Sequence, residues 1–593
     1  MSGEKLRQHT VCKLSLVIVL LLASVPALVV AAQPPPRASL HPMVWDTIRS
    51  AGDAEVLVVF REQADLSGAG ALPTKEARGR YVYEALRNVS GKTQQDLRAL
   101  LEAQGADYQS FFIVNAIKVR ADGARLRSLA ARSDVAQILP NPWVKGVPGN
   151  ITQVAKTAPA GIEANLLRVN ADDVWALGYT GQGIVVAGQD TGYDWDHQAL
   201  KRQYRGWNGS EVDHDYNWHD AIHSGGGVCG PDTLEPCDDY GHGTHTMGTI
   251  VGDDGNSNQI GMAPGAEWIG CRNMDEGYGT PATYMECFEF FLAPYPVDGT
   301  PAQGDPDLAP HVVNNSWSCP PNEGCDAGTL DAAVDALRQS GIVIVVSAGN
   351  DGHSGCTSVR NPPAIYPQSF TTGSFNYRDD QIAASSSRGP VTYDGDTYTK
   401  PDIAAPGQGI RSCVPGGGYG SSSGTSMAAP HVAGAVALLL SAAPGYSGRV
   451  AAIEGALTST AEPKLDAQCG ESGPPNNVWG WGILDALAAV ESIVSGSLQG
   501  WVGDHSSDEP IWGAQVTAQM TTLPVVGSEV TTDSTGHYTM TLPAGTFDVS
   551  VRADGYVLQT VTDVQVISGH STTLDFGLVA FSRCYLPLVV RDW

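Results

Sequence analysis

The chain has 593 residues, about four times the typical domain length of roughly 150 residues, so several domains and a sizeable core are expected. It carries 35 Lys and Arg against 63 Asp and Glu, and this acidic balance leaves no broad basic surface for nucleic acid or an anionic membrane. Only 17% of the residues are charged, while 68 are Gly and 37 are Pro. That composition is typical of a loop-rich globular protein rather than a coiled coil or a disordered acidic tail.

The first 32 residues have the pattern of a secretory signal peptide. Basic residues precede a mostly apolar run over 14–30, which closes on the small residues Ala31 and Ala32. An uncleaved membrane anchor is the alternative, because this run is close to the ~18 residues that a membrane span requires. We predict a signal peptide over 1–32 and a secreted, extracellular product with no membrane attachment after cleavage.

Cysteine usage agrees with an exported protein. Of the 11 cysteines only Cys12 lies in the signal peptide, and the even number that remains is typical of disulfides. Cys229 and Cys237 enclose a short loop, as do Cys319 and Cys325. Both pairs are therefore predicted to form local disulfides.

A zinc site is the alternative explanation of the first cysteine pair. Three histidines precede that pair in the sequence: His214, His219 and His223. The spacing is not that of a structural zinc knuckle, so a polar insertion loop is favoured.

Residues 33–150 are predicted to form a small ferredoxin-like α+β domain and a linker. Strand and helix patterns alternate here, with predicted strands over 54–60, 111–119 and 135–139 and predicted helices over 81–104 and 123–131. A loose stretch over 142–159 follows, and such a stretch is exposed to cleavage.

Residues 165–497 have the pattern of a mostly parallel sheet with helices on both faces. Apolar strand patterns lie at 184–188, 268–270, 312–313 and 342–346, and helical patterns lie at 329–338 and 427–441. Ligands of such sheets bind beyond the carboxyl ends of the strands. Asp190 and Asn350 follow two of these predicted strands.

The region 498–577 changes to short alternating strands separated by Gly turns, which predicts a small β-sandwich. Its repeated pairs of Gly with an aromatic residue resemble the carboxypeptidase-regulatory-like domain. Residues 578–593 form an apolar C-terminal tail.

Three segments, 189–192, 241–245 and 424–430, supply the residue types of an activated serine nucleophile. A serine hydroxyl needs a neutral imidazole to take its proton, and a carboxylate on the other ring nitrogen orients that imidazole. The chain provides them as Asp190, His242 and Ser426. Ser426 stands between a Gly-rich loop and an apolar helix, whose positive N-terminal end favours a developing oxyanion.

Together with residues 347–350, these motifs resemble the signature set of subtilisin-like serine peptidases, and the resemblance covers the middle domain. It implies a subtilisin-like fold and hydrolysis of peptide bonds in proteins through an acyl-enzyme. It assigns Asp190 as the orienting acid, His242 as the general base and Ser426 as the nucleophile, with Asn350 and Ser426 forming the oxyanion hole. It also implies that the first domain is an inhibitory propeptide of a zymogen, with an accessory binding domain as the alternative.

The resemblance further implies which residues bind substrate. Two segments are expected to wall the primary pocket, with the Asn361 region near its base: Ser316, Trp317, Ser318, Ser347, Ala348 and Gly349. These walls are mostly small and neutral, so an apolar or aromatic substrate residue is predicted to fit better than a charged one. Strict selection of Arg or Lys would instead implicate Asp351.

No cofactor is expected for catalysis, although structural calcium is common in the family. The acidic loop 253–256 is a candidate calcium site, with a solvated turn as the alternative. Many members carry a calcium-binding Asp at a position where this chain has Ala199.

Two other functions remain open from the sequence. The segment 420–424 matches a nucleophile elbow that would make Ser422 the nucleophile of a secreted esterase, but that motif requires a strand before it and its acid and histidine after it. A catalytically idle surface-binding protein is the second alternative. Three further histidines near the motifs are predicted to be structural: His197, His245 and His431.

Overall fold

The computed structural model describes residues 38–147, 152–153, 161–521, 527–543, 545–567 and 570–581. The predicted signal peptide and the end of the apolar C-terminal tail lie outside the described residues. The described chain forms an N-terminal, a central and a C-terminal domain.

The N-terminal domain is built on a five-stranded sheet. Its elements in chain order are β1 (Ser39–Leu40), α1 (Pro42–Ala51), β2 (Asp53–Phe60), α2 (Lys75–Thr93), α3 (Gln95–Ala103), β3 (Tyr108–Phe111), β4 (Ala116–Asp122), α4 (Gly123–Ala130) and β5 (Val135–Pro140). The strand order is β1-β5-β2-β4-β3, and β2 is antiparallel to both β4 and β5. From β2 to β5 this is the βαββαβ order of a ferredoxin-like unit, which confirms the prediction.

Two predicted elements of this domain are each divided in the structure. The predicted strand 111–119 is a pair of strands, because the apolar residues after Phe111 form a turn that packs into the core shared with the central domain. The predicted helix 81–104 is interrupted at Gln94, whose buried amide donates a hydrogen bond to the Phe111 carbonyl at 2.7 Å. Both interruptions come from tertiary packing that a local pattern does not record.

The strands from the linker to the end of the central domain are β6 (Val144–Lys145), β7 (Thr152–Gln153), β8 (Gly161–Ile162), β9 (Val185–Asp190), β10 (Trp218–Asp220), β11 (Asn258–Gln259), β12 (Glu267–Arg272), β13 (Met274–Asp275), β14 (Tyr278–Gly279), β15 (Val312–Asn315), β16 (Val343–Ser347), β17 (Phe370–Asn376), β18 (Gln381–Ile382), β19 (Val391–Tyr393), β20 (Asp396–Tyr398), β21 (Ile403–Pro406), β22 (Ile410–Val414) and β23 (Gly418–Ser422). The helices of this domain are α5 (Ala164–Leu167), α6 (Ala171–Ala176), α7 (His242–Val251), α8 (Pro281–Leu292), α9 (Asp331–Gln339), α10 (Thr425–Ala442), α11 (Val450–Ser459) and α12 (Ala486–Val494).

The central sheet runs in the order β10-β12-β9-β15-β16-β17, with β21 parallel to β17 and the short β18 antiparallel at that end. Successive residues of β16 belong to opposite apolar layers: Val345 packs with α10, whereas Ile344 packs with α8 and α9. Burial on both faces explains why β16 is a continuous apolar run over 343–346. The predicted parallel sheet with helices on both faces is therefore confirmed.

Helix α10 is largely apolar. Within the described residues it is the one helix long and apolar enough to cross a membrane, and 89% of it is buried. Its apolar character matches its position in the core of the central domain, where it packs against β15, β16 and β17.

The C-terminal domain contains two four-stranded sheets around one apolar core. Its strands are β24 (Ser495–Asp504), β25 (Gln515–Met520), β26 (Gly527–Thr531), β27 (His537–Pro543), β28 (Gly545–Arg552), β29 (Gln559–Val566), β30 (Ser571–Thr573) and β31 (Phe576–Leu578). The predicted β-sandwich is confirmed.

The central domain contains four disulfides: Cys229–Cys237, Cys271–Cys287, Cys319–Cys325 and Cys356–Cys469. Both predicted local pairs are present, and the first removes the cysteines that the zinc alternative required. Pairing of all the remaining cysteines was a wrong expectation, because Cys413 is free and buried in the apolar core. Cys584 lies outside the described residues.

We expect the long-range disulfide to stabilise the fold more than a short one. Cys356 and Cys469 are 113 residues apart, whereas Cys319 and Cys325 are 6 apart. Loop-closure entropy predicts a loss of about 5 kcal/mol of unfolding free energy for the first pair and about 2 kcal/mol for the second after Cys→Ala replacement. Denaturant unfolding in a Ser426→Ala background measures both, and equal losses would contradict the prediction.

Candidate active site

Asp190 and His242 form a buried pair at the carboxyl edge of the central sheet. Asp190 ends β9 and His242 begins α7, and His242 Nδ1 lies 2.7 Å from Asp190 Oδ1. Asp190 Oδ1 also accepts a hydrogen bond from the Thr191 backbone at 2.8 Å. A carboxylate on Nδ1 favours the tautomer whose Nε2 can accept a proton.

The start of α7 is fixed by Asp238, which sequence reasoning missed. Its Oδ1 accepts from Gly241 N at 2.7 Å, and its Oδ2 accepts from Thr244 N at 3.0 Å, so it satisfies N–H groups around the first turn. Gly241 has a φ of +92° in the turn that leads into His242. An acidic residue just before a helix start was the available signal.

Ser426 is the second residue of α10 and is buried. Its hydroxyl donates to the Ser316 carbonyl oxygen at 3.0 Å, and the Ser316 hydroxyl donates to the Ser426 carbonyl oxygen at 2.9 Å. In this conformation no hydrogen bond joins Ser426 to His242 within the described part of the chain.

Asn350 lies beside the start of α10. Its Oδ1 accepts from the Thr425 backbone at 2.9 Å and from the Thr425 hydroxyl at 3.2 Å. This leaves Nδ2 as a donor next to the first turn of α10, whose N–H groups have no partner within the helix. The site therefore has two adjacent donors, Asn350 Nδ2 and the Ser426 N–H.

The predicted pocket residues line two neighbouring strand ends. Ser347 ends β16, and Ala348 and Gly349 continue from it, with Ala348 N donating to the Thr372 carbonyl and Gly349 N donating to the Thr425 hydroxyl at 3.1 Å. They thus approach the first turn of α10.

The other predicted wall comprises Ser316, Trp317 and Ser318. Ser316 bonds to Ser426, and the Ser318 N–H donates to the Gly146 carbonyl at 3.0 Å. The Trp317 ring stacks on Tyr284 of α8 with ring centroids 4.0 Å apart. Asp351 forms an ion pair with Arg360 at 3.0 Å, so its carboxylate is already partnered.

The end of the N-terminal domain occupies a cleft of the central domain. Strand β6 is antiparallel to β14, and Gly146 N donates to the Gly277 carbonyl at 3.0 Å. Ser318 N donates to the Gly146 carbonyl at 3.0 Å from the opposite side. Residues 144–147 therefore lie as an extended strand between two segments of the site.

Residues 152–153, the next that the structure describes, pair with the strand that precedes Ser426. Strand β7 is antiparallel to β23, with Thr152 opposite Ser421. Strand β23 ends four residues before Ser426. The two flanks of segment 148–151 are thus held by different walls of the same cleft.

Glu289 of α8 anchors the N-terminal domain, and sequence reasoning missed it. Its buried carboxylate accepts from Phe112 N and from Ile113 N, the latter at 3.0 Å. Burial raises the pKa of Glu289 to about 8. The only signal available in the sequence was that Glu289 is one of two acidic residues inside a largely apolar helix.

A second polar cluster lies beside a cavity of about 1320 Å³ between these domains. Glu286 contacts His219 at 2.8 Å and His223 at 3.0 Å, and Gln109 of the N-terminal domain donates to it. The hydrogen bond to Glu286 raises the pKa of His223 to about 9.

The remaining predicted histidines contact backbone carbonyls. His245 bonds to the Ile410 carbonyl at 3.1 Å, and burial lowers its pKa to about 3. His431 bonds to the Met427 carbonyl at 2.9 Å, and burial lowers its pKa to about 4. His197 bonds to the Gly418 carbonyl at 2.8 Å. All three side chains thus bond to the backbone of the central domain.

Ser422, the candidate esterase nucleophile, lies in β23 opposite Ile410. Across the described ranges, no histidine forms a hydrogen bond with it. A strand does precede this residue, but among the described residues no histidine is bonded to it to act as the base of a nucleophile elbow.

The acidic loop 253–256 does not fit a calcium ion. Asp254 Oδ1 accepts from the backbone N–H groups of Asn256, Ser257 and Asn258, and its Oδ2 accepts from the Asn258 amide. The Asp254 carboxylate is thus surrounded by N–H donors, whereas a bound calcium ion needs oxygen ligands. In the part of the chain that the structure describes, no group of three His, Cys, Asp or Glu residues is arranged to hold a metal ion.

Two family models match the central and C-terminal domains. Residues 181–482 match the subtilase family, and residues 497–579 match the carboxypeptidase regulatory-like domain. Bacillopeptidase F of Bacillus subtilis strain 168 is 37% identical over 487 residues, which cover 76% of this chain and 32% of that protein. Subtilisin E of the same strain is 29% identical over 411 residues, covering 68% of this chain and 91% of that protein. The chain thus spans about a third of bacillopeptidase F but most of subtilisin E.

Proposed function

Because the chain belongs to the subtilase family of serine peptidases, we propose that it is a secreted endopeptidase that cleaves proteins through Asp190, His242 and Ser426. The observation that carries the proposal is the buried Asp190–His242 pair at the start of α7, which packs against α10, the helix whose first turn bears Ser426. The four disulfides support an exported protein, since such bonds persist in oxidising compartments.

The chemistry follows from this arrangement. Ser426 rotates from the Ser316 carbonyl toward His242, gives its proton to Nε2 and attacks the substrate carbonyl carbon. Asp190 stabilises the resulting imidazolium through Nδ1. The Ser426 N–H and Asn350 Nδ2 donate to the oxyanion.

The tetrahedral intermediate then collapses. His242 returns its proton to the leaving amine, which departs and leaves an acyl group on Ser426. A water molecule, deprotonated by His242, attacks that ester and releases the carboxylate product together with the Ser426 hydroxyl.

A digest of casein by the secreted product tests this function. New peptide N-termini must appear with the wild-type protein and be absent with a Ser426→Ala variant. Digestion at the wild-type rate by that variant would contradict the assignment of the nucleophile.

We also infer that the N-terminal domain is an inhibitory propeptide. Residues 144–147 fill the cleft as an extended strand, as a peptide substrate would, and Glu289 holds the adjoining turn. The first bond cut would then lie between Val147 and Thr152, whose segments flank the site on both sides.

The primary specificity remains a proposal. The small neutral walls at 347–349 favour an apolar or aromatic residue in the pocket, and the ion pair of Asp351 with Arg360 disfavours a role for Asp351 in binding a cation.

Release of the N-terminal domain should depend on pH through Glu289. Its pKa in the complex is raised to about 8 by burial and returns toward ~4.3 when the domain leaves. Glu289 therefore binds its proton more tightly in the complex than in the free enzyme. Association is strongest below a pH of ~4.3 and weakens as the pH rises through about 8. We expect at least about tenfold weaker association at pH 8 than at pH 5.

Gel filtration of the cleaved protein, inactivated with a fluorophosphonate, measures how much N-terminal domain is retained. A Glu289→Gln variant keeps an acceptor oxygen but cannot ionise, so its retention should vary less with pH. Equal retention of the wild-type domain at both pH values would contradict the role of Glu289.

A further inference from the structure

Gly146 has no room for a side chain where it lies in the cleft. A Cβ atom added to it would lie 2.5 Å from Met274 Sδ and 2.9 Å from the Tyr284 hydroxyl oxygen. The φ angle of Gly146 is not in the left-handed region, so its backbone conformation does not require glycine. A larger residue at this position therefore requires Met274 and Tyr284 to move, and the decisive neighbour is the one that cannot.

The atoms that close this space are held in place. Tyr284 is fully buried, and its ring lies 4.0 Å from the Trp317 ring at an interplanar angle of 12°. A Cβ atom added to Gly279 would also lie 2.7 Å from the Tyr284 hydroxyl oxygen. Tyr284 is thus packed between Trp317 and β14, the strand that pairs with β6, and it cannot move aside without displacing both.

The backbone contacts of Gly146 are those that an extended peptide would make. Its N–H and carbonyl bond to Gly277 and Ser318, both in the central domain. Any substrate that binds through the same two bonds places its own side chain at the same point. Lys145, the preceding residue, is exposed and offers a matched position without this restriction.

We propose that Tyr284, held by Trp317 and assisted by Met274, is a specificity-determining residue that restricts one substrate position to glycine. The proposal rests on the proposed peptidase function. The preferred substrates are extended protein segments with glycine at the position that Gly146 occupies. Trp317, expected from sequence to wall the pocket, then acts by supporting Tyr284.

Synthetic peptides with the sequence of residues 141–155 test the proposal with the mature enzyme. The set contains the native peptide, Gly146→Ala, Gly146→Leu and the control Lys145→Leu. Mass spectrometry gives kcat/KM for cleavage between residues 147 and 152. We expect a loss of about tenfold for alanine and about 100-fold or more for leucine, with the control within about threefold of the native peptide.

A Tyr284→Ala enzyme supplies the complementary measurement, since removal of the ring opens the space. It should cleave the Gly146→Leu peptide within about tenfold of the native one. If this variant does not fold, Met274→Ala serves instead, with partial recovery of the Gly146→Ala peptide expected.

The outcomes separate this inference from the function on which it rests. Equal cleavage of the native and Gly146→Leu peptides by the wild-type enzyme would overturn the glycine restriction and leave the peptidase intact. Digestion of casein without cleavage of the native peptide would also overturn it. No cleavage of casein or of any peptide would refute the proposed function itself.

Discussion

A Ser426→Ala precursor should keep its N-terminal domain covalently attached, whereas the wild-type protein loses it. Residues 144–147 already lie in the cleft, so the bond that follows them is the first substrate of the same hydroxyl that cuts other proteins. Loss of that hydroxyl should lower kcat by roughly 10⁶, which abolishes both maturation and casein digestion. The size and N-terminal sequence of the secreted product, made in a host without other proteases, give the measurement.

A Ser422→Ala precursor is the matched control, because Ser422 is a nearby serine on the strand that leads to the site. It should mature at the wild-type position and rate. Trimming of the Ser426→Ala precursor at the wild-type position would show that maturation is not autocatalytic and would remove the propeptide assignment.

An Asn350→Leu enzyme should show kcat lowered by roughly 10²–10³ with little change in KM. The amide Nδ2 would donate to the oxyanion, which exists only in the transition state and intermediate, so its loss affects the chemical step rather than ground-state binding. Steady-state kinetics on one peptide substrate measure both parameters.

The Asn350→Asp enzyme distinguishes the donor from the fold. Aspartate keeps the oxygen that accepts from the Thr425 backbone but has no N–H to donate, so its kcat should fall to a similar extent. An unchanged kcat in either variant would place the oxyanion donor elsewhere.

The sequence predicted the parts of this site that are encoded in contiguous motifs. Asp190 ends a strand, His242 begins a helix, Asn350 follows the end of β16 by three residues, and Ser426 follows a Gly-rich loop. Local patterns of this kind predict both the element and the residue that it presents.

Features that depend on contacts between distant segments could not be predicted. The disulfide Cys356–Cys469 joins residues that only the tertiary path brings together. No sequence pattern distinguishes the free Cys413 from the paired cysteines, because its burial depends on the tertiary structure. Gly146 is one of two glycines in a loose stretch, and its restricted space comes from Tyr284, which is distant in sequence.

Labelling with a serine-directed fluorophosphonate, followed by peptide mapping, tests whether Ser426 is the activated nucleophile. The reagent reacts with a serine only where a base and an oxyanion hole activate it. We expect one adduct per chain, located on Ser426, and no adduct in the Ser426→Ala protein. An adduct on Ser422, or digestion of casein by a protein that takes up no label, would contradict it.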